Sequence, residues 1–589
     1  MQSRSSDTLL ALLLFLLPQR AMPQQTFITN CAGCHGEDGR GTSKGPSLAL
    51  NQRVAEQSAE QLSAYLEHGN IAAGMPSFSD LSPADRTALV RFLRRLNAET
   101  IIPPVTASKP TRKVNFGAPQ PGDWLTYNGS VSANRYSPLK QINIANVSSL
   151  KLKWIFPIQY FGLETTPLAA DRVVYVTGPN QVFALDALTG NAIWHYSRPA
   201  SIGMVGDAKL GTNRGVAILR DKVFFITDNA HLLALDRATG ILLWEITMAP
   251  DTAGQHYGGT MAPLIVNDTI IAGVSGADEG IRGFVAAFKP DNGALIWRHW
   301  TVPRSGEPGI ETWQGKEPLT GGGSTWLTGS YDPSSDTLYW ATGNPWPDGD
   351  DVDRPGDNLY TDCVLALNAK TGELKWYYQF TPHDVRDRDA TEPNVLIDTV
   401  YKGKPSKLLL HADRNGFFYV LDRTDGKLLL AKPFLRRVDW ALSIGFDGRP
   451  VVKDPRGCPA DAANWDSTAF SPETHLYYFI ALEECGRPNR TSQRFLRALN
   501  IETGDIVWEV PQFGPAPNKI WTGVLATAGG LIFYGQPHGG FAAVDQRDGK
   551  TLWQFPTNVR MKASPMTFTV GGNQYIAVAA GPNILCFGL

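Results

Sequence analysis

The most specific chemistry in the chain sits near its start, in Cys31-Ala32-Gly33-Cys34-His35. Two thiols at this spacing add to both vinyl groups of one haem, and the following imidazole then ligates the iron. A CxxC pair also suits a redox couple or half of a zinc site. Zinc, however, needs two further soft ligands, and the next cysteine is Cys363. The cofactor expected here is haem c, attached through Cys31 and Cys34, with His35 as proximal ligand. A second axial ligand should come from a later loop. Met75, in Gly74-Met75-Pro76, is the candidate, with His68 as the alternative. A thioether opposite imidazole raises the reduction potential, which suits electron acceptance.

Short helices must position these ligands. Residues 59–67 and 83–96 carry apolar side chains at three- and four-residue spacing, and Asp80-Leu81-Ser82-Pro83 reads as a helix start. Residues 26–98 thus resemble the small class I cytochromes c, an all-α fold. Before them, Arg4 precedes nine unbroken apolar residues, Leu9 to Leu17. That run is too short to cross a bilayer and reads as a secretory signal over residues 1–25, with a disordered tail as the alternative. No later stretch is long enough for a transmembrane span, so a periplasmic location is expected. Pro103, Pro104, Pro110, Pro119 and Pro121 mark residues 99–121 as a semi-extended linker.

The remaining residues, 122–589, carry a repeat. A run of small apolar, Leu, Asp, x, x, Thr, Gly, x, x, x, Trp ends at Trp194, Trp244, Trp297, Trp376, Trp508 and Trp553. A degenerate copy has Leu430 in place of Trp, and a half-copy ends at Trp154. Each unit reads as a strand, a Gly-terminated turn, and a strand whose Trp packs on a neighbour. Eight units of about 58 residues suffice for four short strands each, which predicts an all-β eight-bladed β-propeller. Composition agrees: 43% hydrophobic and 19% charged residues exclude a disordered or coiled-coil chain. The formal net charge of −2 gives no basic footprint for nucleic acid.

Polar clusters interrupt the repeat: Phe161 to Pro167, Thr212-Asn213-Arg214-Gly215, Ser275-Gly276-Ala277-Asp278, Gly321 to Trp326, Thr342 to Pro345, Thr381 to Asp389, and His411 to Gly416. Their order, with the Trp-bearing units, resembles the pyrroloquinoline quinone (PQQ) alcohol dehydrogenases, the group that includes methanol dehydrogenase. The resemblance implies an alcohol dehydrogenase whose quinone lies flat on the propeller axis beside a hard cation. It implies Trp326 as the indole floor, Glu164 and Arg214 at polar edges of the cofactor, and Thr260, Ser275, Asn464 and Trp521 as further cofactor contacts. Asp278, where the family usually has Glu, Asn344, Asp387 and Asp389 become ligands of calcium or a lanthanide ion. Asp387 becomes the base that takes the alcohol proton while hydride passes to quinone carbon C5, and Arg414 stabilises negative charge on the quinone oxygens. Asp389 resembles the extra carboxylate of the lanthanide-dependent branch. Three neighbouring acids repel unless a strong cation lies among them.

Three departures stand out. The adjacent Cys pair usual in the family is absent, with Gly206-Asp207 in its place. Arg386 replaces the usual aromatic residue beside the base, and its charge is expected to lower the pKa of Asp387. The haem precedes the propeller, whereas better-known fused alcohol dehydrogenases carry it after; polyvinyl-alcohol-type dehydrogenases share the present order, which implies a bulky or polymeric alcohol. The resemblance also implies a Cys458–Cys485 disulfide. Cys363 and Cys586 read as two buried thiols, with a bridge between them as the alternative. The expected function is a quinohaemoprotein alcohol dehydrogenase passing electrons through haem c to a downstream respiratory acceptor. A non-catalytic propeller scaffold with an electron carrier, or a sugar or aldehyde dehydrogenase, are the alternatives.

Overall fold

In a computed structural model of the chain, the residues described are 23–35, 45, 48, 51, 54, 57–70, 74–98, 120–249, 256–314, 318, 320–485, 492–512, 522–537 and 539–589. The chain divides into two compact units, Met1–Pro103 and Pro104–Leu589. Most of the expected signal (1–25) and linker (99–121) lies outside the described residues.

The first unit is helical among its described residues: Pro23–Asn30, Ala32–His35, Ala59–His68 and Pro83–Ala98. Ser58 opens the third with a capping box, its hydroxyl accepting from Gln61 N at 3.2 Å while Gln61 Oε1 accepts from Ser58 N at 2.8 Å. Ser82 caps the fourth by accepting from Asp85 N at 3.1 Å. The apolar faces meet in a core of Phe27, Cys31, Leu62, Leu66, Leu89, Val90 and Leu93, against which Met75 packs.

In the second unit, eight sheets of four antiparallel strands follow one another among the described residues, one of them extended by Tyr136–Ser137 running parallel to Val524–Thr527. Lys151–Pro157, the strand after Tyr136–Ser137, pairs antiparallel with the last, Asn583–Gly588, so an early segment and the final one complete one blade. Sharing one blade between the two ends in this way closes the ring.

The repeat explains how blades are fastened. Asp186 Oδ1 accepts from Leu188 N, Thr189 N and Thr189 Oγ1 at 3.0, 2.9 and 3.0 Å, shaping the turn that Gly190 completes at φ +72°. Trp194 then reaches to the next blade's turn, donating Nε1 to Arg237 O at 3.0 Å. Its ring lies so close to Gly240 that a Cβ there would come within 2.5 Å of it. The motif glycine is thus required twice, by its left-handed φ and by the indole resting on it. The same seating recurs for Trp154 on Gly190, Trp297 on Gly372 and Trp508 on Gly549, while Leu430 takes the place against Gly504 without an N–H to donate.

Each blade begins with a short strand, for example Leu168–Ala170, Leu264–Val266 or Ser330–Asp332, paired antiparallel with the second. Segments entering a first strand and leaving a second strand therefore emerge at the same end of the blade. Those segments hold the polar clusters.

Candidate active site

Glu164, Arg214, Thr260, Trp326, Asp387 and Asp389 precede first strands, whereas Ser275, Asn344 and Arg414 follow second strands. All of them, with Asp278 and Asn464, line one cavity of about 620 Å³. Trp521 falls outside the described residues.

Local backbone explains several placements. Asp278 sits in a single turn, Ala277–Glu279, flanked by Gly276 and Gly280 with φ of 116° and 73°. Gly343 precedes Asn344, and a Cβ on it would fall 2.2 Å from Asp389 Oδ1, so glycine lets that carboxylate close in. Asp387 itself adopts φ 57°. Aspartate tolerates that left-handed conformation better than most residues, and such strain concentrates at functional sites.

The acids form a connected group. Asn344 donates Nδ2 to Asp278 Oδ1 at 3.0 Å and its backbone N to Asp389 Oδ1 at 2.9 Å. Arg414 donates Nη1 to Asp389 Oδ2 at 2.8 Å, Nη2 to Asp387 Oδ2 at 3.1 Å, and Nε to Asp461 Oδ1 at 3.1 Å. Seven carboxylates line the cavity (Glu164, Asp207, Asp278, Glu279, Asp387, Asp389 and Asp461) against Arg214, Arg414 and Lys562. Burial raises Asp389 to about 6, opposing the pull of Arg414. Burial likewise holds Asp387 well above the usual carboxylate range, against Arg414 and with Asp389 and Asp278 adding to the rise. A hard cation among these oxygens acts in the opposite sense and favours the ionised forms.

Arg386 does not act on Asp387 as expected. Its Nη1 donates to Arg456 O at 2.6 Å, and the cation that faces Asp387 is Arg414. Burial, rather than a lowering charge from Arg386, sets the basicity of Asp387.

Across the cavity, the Arg214 guanidinium lies 4.8 Å from the Trp326 ring centroid and 4.7 Å from that of Trp465, and pairs with Glu164 at 2.9 Å. Lys562 approaches Glu164 at 3.5 Å. Thr260 donates Oγ1 to Trp326 O at 3.4 Å. Buried Ser275 Oγ and Arg214 Nε have no hydrogen-bond partner among the described residues. Buried polar atoms rarely stay unmatched, so these two fit a polar, anionic, planar guest beside Trp326. Carboxylate and amide oxygens of Asp278, Asn344, Asp387 and Asp389 fit calcium or a lanthanide.

Gly206-Asp207 and Leu210, in and beside the short helix Gly206–Lys209, also line the cavity. A Cys458–Cys485 disulfide closes the loop that carries Asn464 and Trp465, while Cys363 and Cys586 are buried thiols without a bridge. Sequence reasoning missed Asp461 and Lys562. Asp461 stands three residues before Asn464, a proximity that could have flagged it; Lys562 lies in no motif.

Three kinds of comparison bear on the chain. The family described as glucose/ethanol/alcohol dehydrogenase, beta-propeller domain, under the heading PQQ, matches residues 124–431 and 495–576. The family of cytochrome c oxidase, cbb3-type, subunit III, matches residues 18–93. Quinohemoprotein alcohol dehydrogenase ADH IIB of Pseudomonas putida is 38% identical over 515 residues, 78% of this chain and 73% of that protein. The lanthanide-dependent methanol dehydrogenase of Methylacidiphilum fumariolicum is 34% identical over 527 residues, 78% of this chain and 85% of that one. Among solved structures, quinohemoprotein alcohol dehydrogenase from Comamonas testosteroni superposes with a TM-score of 0.74 at 32% identity, covering 80% of this chain and 81% of that one.

Proposed function

That this chain belongs to the PQQ glucose/ethanol/alcohol dehydrogenase β-propeller family is the premise from which we propose its function. It is a quinohaemoprotein alcohol dehydrogenase: a PQQ propeller oxidises an alcohol, and a covalently bound haem c in the N-terminal unit carries the electrons away. The observation that carries the reading is one cavity in which an indole, two arginines and a group of carboxylate and amide oxygens converge.

Bound PQQ supplies a two-electron acceptor, chemistry that no side chain offers. The chain's residues do the rest. Trp326 would offer a flat face, Glu164 and Arg214 would hold polar edges, Thr260 and Ser275 would add hydrogen bonds, and Asn464 and Trp521 would line the cofactor. Asp278, Asn344, Asp387 and Asp389 take the hard cation. Asp387 Oδ would accept the alcohol proton, its partly exposed carboxylate being open to the cavity. Arg414 places its Nη donors where negative charge grows. The excess of carboxylates over fixed cations in the cavity favours a trivalent lanthanide over calcium.

In the N-terminal unit, Cys31 and Cys34 attach the haem and His35 and Met75 ligate its iron. The domain plan supported by this reading is a signal over 1–25, cytochrome over 26–98, linker over 99–121 and propeller over 122–589. Export to the periplasm follows from the signal and from the thioether chemistry and disulfide. No helix among the described residues is long and apolar enough to cross a membrane. A downstream respiratory acceptor takes the electrons.

Reconstitution tests the reading. Purified full-length protein is given PQQ with calcium or a light lanthanide, and dye reduction is followed with primary alcohols, aldehydes and sugars. Alcohol-dependent reduction that needs both quinone and cation is expected. A propeller scaffold would bind no quinone and reduce no dye.

A further inference from the structure

Asp461 is the one carboxylate on Arg414 to which the proposed reading gives no task. Its Oδ1 accepts from two donors, Arg414 Nε at 3.1 Å and Asn464 Nδ2 at 2.9 Å. The backbone is joined at the same place, because Ala462 N donates to Arg414 O at 3.0 Å. Asn464 is fixed from its other side as well, its Oδ1 accepting from Trp465 N at 2.9 Å. Both ends of the Asp461–Arg414 pair are nearly closed to solvent, with side-chain exposures of 11% and 12%. Charge-assisted bonds in such a setting are strong and directional.

From this geometry we infer that Asp461 is a positioning residue, resting on the proposed reading of the site, which sets Arg414 and Asn464 together toward the cofactor and keeps the cation ligands available. Two effects of one oxygen combine. Holding Nε fixes the plane of the guanidinium, so that only its Nη edge faces Asp387 and Asp389. Sharing the arginine's positive charge also leaves those two carboxylates less fully neutralised. Without Asp461, Arg414 settles wholly on Asp387 and Asp389 and competes with the cation for them. Loss of a nearby negative charge weakens cation binding in the same direction.

The test uses the full-length protein and Asp461→Ala, Asp461→Asn and Asp461→Glu. Terbium(III) binding is read by tryptophan-sensitised luminescence, with and without PQQ. Alongside it, kcat and KM for a primary alcohol are measured at saturating cation, and Tm reports folding. Asp461→Ala and Asp461→Asn are expected to weaken terbium binding by about 10–100-fold, the range usual for loss of a group that orients a metal's ligands. They should also lower kcat while leaving KM for the alcohol near its wild-type value, and Asp461→Glu should recover much of both. The isosteric Asp461→Asn carries the test if the alanine variant does not fold. Variants that keep wild-type terbium affinity and kcat, or a glutamate variant no better than alanine, overturn the role of Asp461 alone. A wild type that takes up neither quinone nor terbium overturns the reading of the site, and this inference with it.

Discussion

The backbone N–H of Asn344 donates to Asp389 Oδ1 at 2.9 Å, joining two segments 45 residues apart. The side chain of the same asparagine donates to Asp278 Oδ1. One residue therefore gathers an acid from the preceding blade and another from the following one. Asp389 is thereby held inside the cavity, where the proposed function makes it a ligand of the cation.

Removing that acid should change the cation the protein uses. Asp389→Asn is expected to weaken lanthanide binding by about 10–100-fold while affecting calcium less, because the trivalent ion depends more on carboxylate charge. Activity titrated with lanthanum and with calcium checks this. Equal losses for both ions would show that Asp389 does not discriminate between them.

Trp326 presents its face to the cavity under Arg214. Stacking on an aromatic ring is worth about 1–3 kcal/mol, so Trp326→Ala should weaken PQQ binding by roughly tenfold to a hundredfold, and Trp326→Phe by less. Equilibrium titration of quinone into each apo-protein measures it.

The Cys458–Cys485 bridge closes a separation of 27 residues around Asn464 and Trp465. Replacing both cysteines by serine should cost about 3 kcal/mol of propeller stability by restoring freedom to the unfolded chain. Denaturant unfolding of the double variant checks the figure, and quinone affinity should fall with it, since Asn464 and Trp465 on that loop line the cavity.

Glu484, beside that disulfide, is pushed up to about 7 by burial, with Asp461 adding to the rise. An unfolded glutamate titrates at about 4.3. Between those values the native state holds a proton that the unfolded state has lost, so stability from this group is complete at lower pH and declines as pH rises toward 7. Glu484→Gln should remove that decline. The difference in urea midpoint between variant and wild type is expected to move in the variant's favour from about pH 5 to 8.

Met75 packs against the core that buries Cys31. If Met75 is the sulfur ligand proposed for the haem, its replacement by alanine should lower the haem reduction potential and slow electron acceptance. Spectroelectrochemical titration reports the shift; an unchanged potential would point to His68.

Much of this architecture was legible because its causes are local. The Asp-x-x-Thr-Gly turn and its tryptophan are contiguous, and each records one contact between neighbouring blades. The site clusters were legible because each occupies the same end of a blade, so chain order became order around the ring. Arg386 misled because sequence adjacency to Asp387 says nothing about direction, and its side chain reaches Arg456 O instead. Asp461 and Lys562 were hidden for the converse reason: each meets a partner distant in the chain, Arg414 at 47 residues on the preceding blade and Glu164 at 398 residues across the ring closure. Burial of Asp389, which raises it, likewise arises from the assembled cavity and has no signature in the chain.

Single-turnover reduction of the haem reports at once on alcohol oxidation at the propeller and on electron passage to the N-terminal unit. Full-length protein loaded with PQQ and a lanthanide, with haem oxidised, is mixed with a primary alcohol, and haem absorbance is followed without added dye. Alcohol-dependent haem reduction is expected in the wild type, and its loss in Asp387→Asn with the quinone still bound. Haem that stays oxidised in the loaded wild type, or that is reduced equally well in Asp387→Asn, would contradict it.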